Sequence, residues 1–410
     1  MPGFHTLSLH AGRQSDPAAG SCAVPIHQTV AFAFGDAGQA ERVLDLQCPA
    51  HALSHLSNPT VAVLEERVAA LEGGIGAVCA ASGQAALMLA VTTLMGQGGH
   101  MVATVSPQGM AGSPLAHTLP RFGVATTFAD PRDPEAVRAA IGPHTRLVIG
   151  ETIGDPGLEV LDIPAVAAIA HGAGVPLLID NSAATPYLCR PLSLGADLVV
   201  HSLSGLMGGH GVAVGGCVVD GGGFDWRRDG RYPTLTEACA AWPGLVFDEQ
   251  FGPAAFLMRA RFEGLGHFGA CLSPTHAFHL LQGLETLALR MGRHVDNARA
   301  VAGFLAGHDA VAWVSHPDRA DHPDHALAAR LLPRGGGAAV AFGIRGGAIA
   351  ARRFLDALRL VSLSAAAGDG KTQALWSARM GDVVRLSVGL EDAADVAADL
   401  AQAFKQSQKG

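Results

Sequence analysis

The chain has 410 residues, enough for two or three domains or for one large domain with a smaller companion. Hydrophobic residues make up 49% of it and charged residues only 16%, which excludes an intrinsically disordered protein. The net charge is −8 and lysines and arginines form no run, so there is no electrostatic signature of a nucleic-acid or anionic-membrane surface. Small molecules and protein partners remain as ligands.

Cysteine usage and the N-terminus predict a cytoplasmic protein. The seven cysteines are scattered and form no CxxC pair, which is typical of a reducing compartment and argues against a zinc site. We assign no metal site to the sequence DHPDH at 321–325 either. Neither a signal peptide nor an apolar run of about 18 residues is recognisable. Lysine is rare and occurs only at Lys371, Lys405 and Lys409.

Residues 1–60 lack clear periodicity and are interpreted as an extended arm. The first regular element is a helix, because Val61, Leu64, Val68 and Leu71 recur at helical spacing. Asn58 or Thr60 is expected to cap its start, and the glycines at 73–74 are expected to end it.

From there to about residue 220, short apolar runs alternate with helical patterns. The runs are GHMVATV, RLVIGET, VPLLIDN, ADLVVHS and GGCVVD, separated by stretches such as DPEAVRAAI and IPAVAAIAHGAG. Such alternation is typical of βα units on a mostly parallel sheet covered by helices on both faces. We therefore predict a large α/β domain at 61–255.

After residue 255 helical patterns dominate. The runs AAVAFGI and VVRLSVGL are expected to form an antiparallel sheet, and the segment 365–382 between them is interpreted as a loop. We predict a smaller α+β domain at 256–410.

Polar residues close three of the predicted strands. Glu151, Asp180 and His201 each end an apolar run, and in an open parallel sheet ligands bind outside the carboxyl ends of the strands. We therefore expect the three side chains to converge on one crevice.

Two further stretches suggest a phosphate-binding surface. Ser82, Gly83 and Gln84 precede a helical pattern, so their backbone N–H groups are expected to face an anion at a helix N-terminus. Ser202 and Ser204, in HSLSGLMGGHG, add hydroxyl groups of the kind that bind phosphate.

These residues lie within motifs that resemble the Cys/Met-metabolism (trans-sulfuration) family of pyridoxal-phosphate (PLP) enzymes, and most of all the O-acetylhomoserine sulfhydrylases. The resemblance covers nearly the whole chain and rests on motifs such as SNPTVAVLEERVAALEGG, ASGQAA, DNSAATPYLCRP, GADLVVHS, LSPTHAFHLLQGLETLALRM and VRLSVGLED. It implies a fold-type I, aminotransferase-like subunit that binds PLP. It also implies a homotetramer built from two dimers, in which the arm at 1–60 reaches the active site of a neighbouring subunit.

The sequence departs from the family pattern at the cofactor. By this resemblance, Gly205 stands where the family has the lysine that forms a Schiff base with PLP. His55 replaces an arginine that reaches the phosphate of the PLP in a neighbouring subunit, and Gln108 replaces the tyrosine that stacks on the pyridine ring of PLP. Asp155 replaces an asparagine next to the ring oxygen. Covalent PLP is therefore not expected.

Other family positions are kept. The resemblance assigns Asp180 to the pyridine nitrogen, Arg385 to the carboxylate of the substrate, and five residues to the phosphate end of the cofactor: Ser82, Gly83, Gln84, Ser202 and Ser204.

Three functions remain open, and conventional sulfhydrylation is not expected under any of them. The first is a repurposed enzyme whose acid and base groups are drawn from Asp155, Asp180, His201 and His210, with Glu151 and a neighbour's His55 as further candidates, and whose Arg385 holds an amino-acid or carboxylate substrate. The second is a non-catalytic partner or regulatory subunit of an active paralogue. The third is an enzyme that binds PLP noncovalently, with Lys371 as a substitute amine if its loop enters the crevice.

Overall fold

The larger of two sheets confirms the predicted fold class. The computed structural model describes residues 2–13, 20–365, 367–376 and 383–407. The strands of this sheet are β1 (Gly76–Ala80), β2 (His100–Ala103), β3 (Ala125–Phe128), β4 (Thr145–Glu151), β5 (Leu177–Asp180), β6 (Leu198–Ser202) and β7 (Gly216–Asp220). Their order across the sheet is β1-β7-β6-β5-β4-β2-β3. β7 is antiparallel to both neighbours, and all other pairs are parallel.

Helices cover both faces of this sheet and continue through the C-terminal region. They are α1 (Phe4–His10), α2 (Ala37–Leu44), α3 (Pro59–Glu72), α4 (Gly83–Leu94), α5 (Pro134–Ala140), α6 (Ile163–Gly172), α7 (Thr185–Leu188), α8 (Pro233–Thr236), α9 (Phe247–Phe251), α10 (Ala255–Arg259), α11 (Gly266–Phe268), α12 (Pro274–Glu285), α13 (Leu287–Ala306), α14 (His325–Leu331), α15 (Gly347–Asp356) and α16 (Ala393–Ser407).

In the larger sheet, successive side chains of each strand point to opposite faces, and each face packs into its own core. In β1, Cys79 packs into the core beneath α3 and α12, whereas Val78 and Ala80 pack into the core beneath α4 and α10. Because successive strand residues point to opposite faces, strands buried on both sides must be apolar throughout. This is why the strands read as continuous apolar runs in the sequence.

Helix α3 begins and ends as the sequence predicts. The side chain of Asn58 accepts a hydrogen bond from the backbone N–H of Thr60, which identifies Asn58 as the cap. At the other end Gly73 adopts a positive φ of 85°, a conformation that glycine reaches without steric cost.

The smaller sheet is built from β8 (Val311–Ser315), β9 (Ala339–Ile344), β10 (Ser362–Leu363), β11 (Gln373–Leu375) and β12 (Val383–Ser387), in the order β10-β11-β12-β9-β8. The antiparallel pairing of β9 with β12 was predicted. The interpretation of 365–382 as a loop was wrong in part, since β11 lies within it and forms a ladder with β12. Residues 366 and 377–382 of that segment lie outside the described residues.

The described part of the predicted arm includes helices α1 and α2. α1 packs against its own chain, where the buried ring of Phe4 lies 5.5 Å from that of Tyr187. Farther along the arm the chain is extended and Val30 is 80% exposed. The reach of the arm to a neighbouring subunit and the three domain boundaries stay predictions. Within the described residues, no helix is long and apolar enough to cross a membrane.

Candidate functional site

A cavity of about 410 Å³ is lined by residues of both sheets. One part of its lining comes from the carboxyl ends of β4, β5 and β6 and from the start of α4, and another comes from β12 and from Ala365, Ala367 and Gly368. It brings together ten of the residues singled out in the sequence, which are Ser82, Gly83, Gln84, Glu151, Asp155, Asp180, Ser202, Ser204, Gly205 and Arg385.

Strand register sets the side of the cavity that we call the sheet wall, defined as Glu151, Asp180 and Ser202. Glu151 and Asp180 are register partners on β4 and β5, so their carboxyl groups are close. A residue that the sequence reasoning missed, Ser182, ties this wall together. Its N–H donates to Asp180 Oδ1 (2.9 Å), and its Oγ accepts from the N–H of Ser202 (2.7 Å). The signal in the sequence was the strand-ending aspartate, because an aspartate there often accepts a hydrogen bond from the backbone N–H two residues on, in an Asx turn.

Glu151 has an unusual electrostatic environment. Burial raises the pKa of Glu151 well above its ordinary value, and the negative charges of Asp180 and Asp155 raise it further. Glu151 therefore holds its proton to higher pH than an exposed glutamate and is suited to donate it as a general acid.

His201 does not join Glu151 and Asp180 at the cavity, which corrects the expectation of three converging strand ends. It lies on β6 beside Ser202, and neighbouring strand residues point to opposite faces, so its ring enters the core. There it is fully buried, with Nε2 2.6 Å from Glu72 Oε1. The same carboxylate oxygen accepts from Asn181 Nδ2 at 2.8 Å, so this network supports the sheet beneath the site.

Three other predicted residues also lie away from the cavity lining. His210 is exposed and borders a separate small hollow with Ser204 and His279. Gln108 is exposed, and its Oε1 accepts a hydrogen bond from Ser106 Oγ at 3.3 Å. His55 is half-buried in the arm and does not line the cavity of its own chain, so its predicted role in a neighbouring subunit stays a prediction.

The start of α4 opens onto the cavity. Ser82 caps this helix by accepting from the N–H of Ala85 at 3.1 Å. A Cβ atom on Gly83 would lie 2.8 Å from Ser202 Cβ, so only glycine allows this close approach of helix and strand. Free N–H groups at a helix start favour an anion.

Arg385 and Asp155 form an ion pair across the cavity lining. Arg385 Nη1 donates to Asp155 Oδ1 at 2.8 Å, joining β12 to the loop after β4. The sequence singled out both residues but gave no sign of their pairing, because 230 positions separate them.

The chain at 367–371, which we call the strap, closes the cavity over Gly205. A Cβ atom built on Gly205 would lie 2.5 Å from the carbonyl oxygen of Ala367, closer than real Cβ contacts. Any side chain at this position therefore requires the strap to move.

Backbone hydrogen bonds hold the strap in place. The N–H of Gly368 donates to Ser387 Oγ (2.7 Å), and the N–H of Gly370 donates to the carbonyl of Gly209 (3.1 Å). Lys371, at the end of the strap, is exposed and does not line the cavity. The loop thus enters the crevice while its lysine stays outside.

The described residues fit part of PLP but not a covalent attachment. The start of α4 and the hydroxyl group of Ser202 suit a phosphate, and Asp180 suits a protonated ring nitrogen. The Ser204 hydroxyl lines the cavity but is bonded to the backbone of Gly215, donating to its carbonyl at 3.2 Å and accepting from its N–H at 3.1 Å. No lysine is found among the described residues that line the cavity, and Ala367 blocks the position of Gly205.

The sequence DHPDH forms structural contacts. His322 Nδ1 accepts from the N–H of Asp324, and Asp324 pairs with Arg132 at 3.0 Å. Across the described ranges, no group of three or more His, Cys, Asp or Glu side chains is arranged to hold a metal ion.

The similarity to known proteins extends over nearly the whole chain. The sequence profile described as "Cys/Met metabolism PLP-dependent enzyme" matches residues 5–405. The chain is 42% identical to an O-acetyl-L-homoserine sulfhydrylase from Leptospira meyeri, over 98% of this chain and 96% of the relative. It is 41% identical to a homocysteine synthase from Schizosaccharomyces pombe, over 98% of each.

A solved structure agrees with these relatives. It is a putative O-acetylhomoserine (thiol)-lyase from Campylobacter jejuni, with a TM-score of 0.95 at 32% identity, covering 99% of this chain and 100% of that one. That structure is described as containing N'-pyridoxyl-lysine-5'-monophosphate.

Proposed function

Since the chain belongs to the Cys/Met metabolism PLP-dependent enzyme family, we propose that it is a repurposed member. It binds an amino-acid-like substrate in the family's cavity and acts on it by acid–base chemistry without a lysine-bound cofactor. The observation that carries this proposal is the contact between Gly205 and the strap, because the Ala367 carbonyl occupies the space that a side chain would need.

The positions of the described lysines support this proposal. Lys371 is exposed on the strap, Lys405 is exposed on α16, and Lys409 lies outside the described residues. With glycine at position 205, the amine that would hold PLP covalently and move its protons is missing.

The sheet wall supplies the acid–base groups. Glu151, whose pKa is raised by burial and by the charges of Asp180 and Asp155, keeps a proton available for donation. Asp180 is the register partner of Glu151 and the candidate base, so the two carboxyl groups form the proposed acid–base pair. Arg385 is the candidate clamp for a substrate carboxylate.

The test is direct. Purified protein is dialysed against PLP, reduced with borohydride and weighed intact, and its turnover of O-acetyl-L-homoserine with sulfide is measured beside the Leptospira meyeri relative. We expect no mass gain from a reduced cofactor adduct and turnover at the level of the uncatalysed reaction. Turnover at a rate similar to that of the relative would refute the proposal.

Noncovalent PLP binding is the second candidate, favoured by the anion-binding start of α4 beside Ser202. Cofactor that is retained on dialysis but adds no mass after borohydride would favour this candidate over the first.

We propose further that the protein works in the cytoplasm as a homotetramer. The extended part of the arm, with its exposed Val30, is suited to cover a neighbouring subunit.

A further inference from the structure

Arg385 has an unusual position for a binding residue, because a carboxylate of its own chain already engages it. Among the described residues that line the cavity, Arg385 is the only cation, and its Nη1 is bonded to Asp155 Oδ1 at 2.8 Å. An arginine binds a carboxylate best through two parallel N–H donors. A ligand carboxylate therefore cannot use the full guanidinium while Asp155 stays in place.

The two side chains of this pair differ in burial. The side chain of Arg385 is 11% exposed, whereas that of Asp155 is 31% exposed, and both line the cavity. Asp155 is thus the more accessible member of the pair.

Displacing Asp155 has an electrostatic cost. A ligand carboxylate would exchange one ion pair for another and would leave Asp155 unpaired near Glu151, whose pKa the charge of Asp155 already raises. A ligand ammonium group is attracted instead. Among the described residues that line the cavity, three carry carboxyl groups (Glu151, Asp155 and Asp180) and one carries a guanidinium.

We propose that Asp155 is a specificity-determining residue that occupies Arg385 in the free protein and shifts the preference of the cavity from carboxylate-bearing to amine-bearing ligands. This inference rests on the proposed function, because it assumes that the cavity binds amino-acid-like molecules.

The test uses two ligands that differ only in the carboxylate, L-homoserine and 3-aminopropan-1-ol. Their affinities are measured by calorimetry for the wild type, for Asp155→Asn and for Asp296→Asn. Asp296→Asn is the matched control, because it makes the same substitution at an aspartate that is 74% exposed on α13 and does not line the cavity. Melting temperatures check that each variant is folded.

We expect Asp155→Asn to strengthen the binding of L-homoserine relative to 3-aminopropan-1-ol by about tenfold or more, since an amide competes for the guanidinium more weakly than a carboxylate. The control variant should leave the ratio of the two ligands' affinities unchanged. The gain should disappear in the double variant Asp155→Asn with Arg385→Gln, which ties it to the ion pair.

Two outcomes would overturn the inference in distinguishable ways. If both ligands bind and their affinity ratio is the same in the wild type and in Asp155→Asn, Asp155 does not set specificity, although the proposed function stands. If neither ligand binds any of these proteins, the proposed function fails and the inference fails with it.

Discussion

The sheet wall and the strap face the same cavity but are built in opposite ways. The sheet wall consists of side chains placed by the register of parallel strands, with Glu151 beside Asp180 and Ser202 tied to Asp180 through Ser182. The strap presents mainly backbone, and hydrogen bonds to β12 and to the chain near Gly209 hold it.

This difference separates a side of the cavity that depends on the sheet from a side that depends on a few hydrogen bonds. Residues fixed by strand register remain in place as long as the sheet remains. A loop fixed by a few backbone hydrogen bonds can instead be rebuilt, and in this chain it fills the space above Gly205.

The largest expected effect is at the contact between the strap and the rest of the cavity. Gly205→Ala places a Cβ atom 2.5 Å from the carbonyl of Ala367, which forces the strap to move. Because overpacking typically costs about 1–3 kcal/mol, we expect the free energy of unfolding to fall by that amount in urea melts. Gly205→Lys should be destabilised at least as much, and without a rebuilt strap it should give no borohydride-reducible PLP adduct.

Gly303→Ala is the matched control for this substitution. Gly303 lies exposed in α13, and a Cβ atom there meets nothing within 4 Å. Replacing this glycine, in the last turn of α13, by alanine should stabilise the protein by up to about 0.5–1 kcal/mol. If Gly205→Ala behaves like Gly303→Ala, the strap does not restrict position 205 and the comparison fails.

A pH-dependent effect of intermediate size is expected on the sheet wall. The pKa of Glu151 is raised in the folded protein above its ordinary value of 4.5, so the folded state favours the protonated form. The stability that this group contributes is present below its unfolded pKa and is lost as pH rises through the raised folded pKa. Glu151→Gln removes the ionisable group, so the variant should not lose this stability as pH rises.

Melting temperatures of the wild type and of Glu151→Gln, measured from about pH 5 to about pH 9, test this expectation. The difference should widen in favour of the variant as pH rises. Glu135→Gln serves as the control, because the Glu135 side chain is 73% exposed on α5 and its removal should leave the curve close to that of the wild type at every pH. If the curve for Glu151→Gln runs parallel to that of the wild type, folding does not raise the pKa of the Glu151 carboxyl group.

The comparison also explains how much the sequence could predict. Apolar runs located β2, β4, β5, β6 and β7 because strands buried on both faces are apolar throughout, and polar residues at their ends located Glu151 and Asp180. His201 was misplaced because a strand-ending residue can point to either face, and only the register shows that Ser202 faces the cavity. The strap was taken as a plain loop, since its contacts with Gly209 and Ser387 join distant parts of the chain.

The smallest effect is expected at the end of the strap. Lys371 is exposed and does not line the cavity, so Lys371→Met should change the free energy of unfolding by no more than about 0.5 kcal/mol and should not alter PLP retention on dialysis. Intact mass after borohydride reduction is the decisive measurement, made on the wild type and the variant together. An adduct present in the wild type and absent in Lys371→Met would mean that the strap swings its lysine into the cavity. The strap would then carry the reactive group, and the sheet wall would only support it.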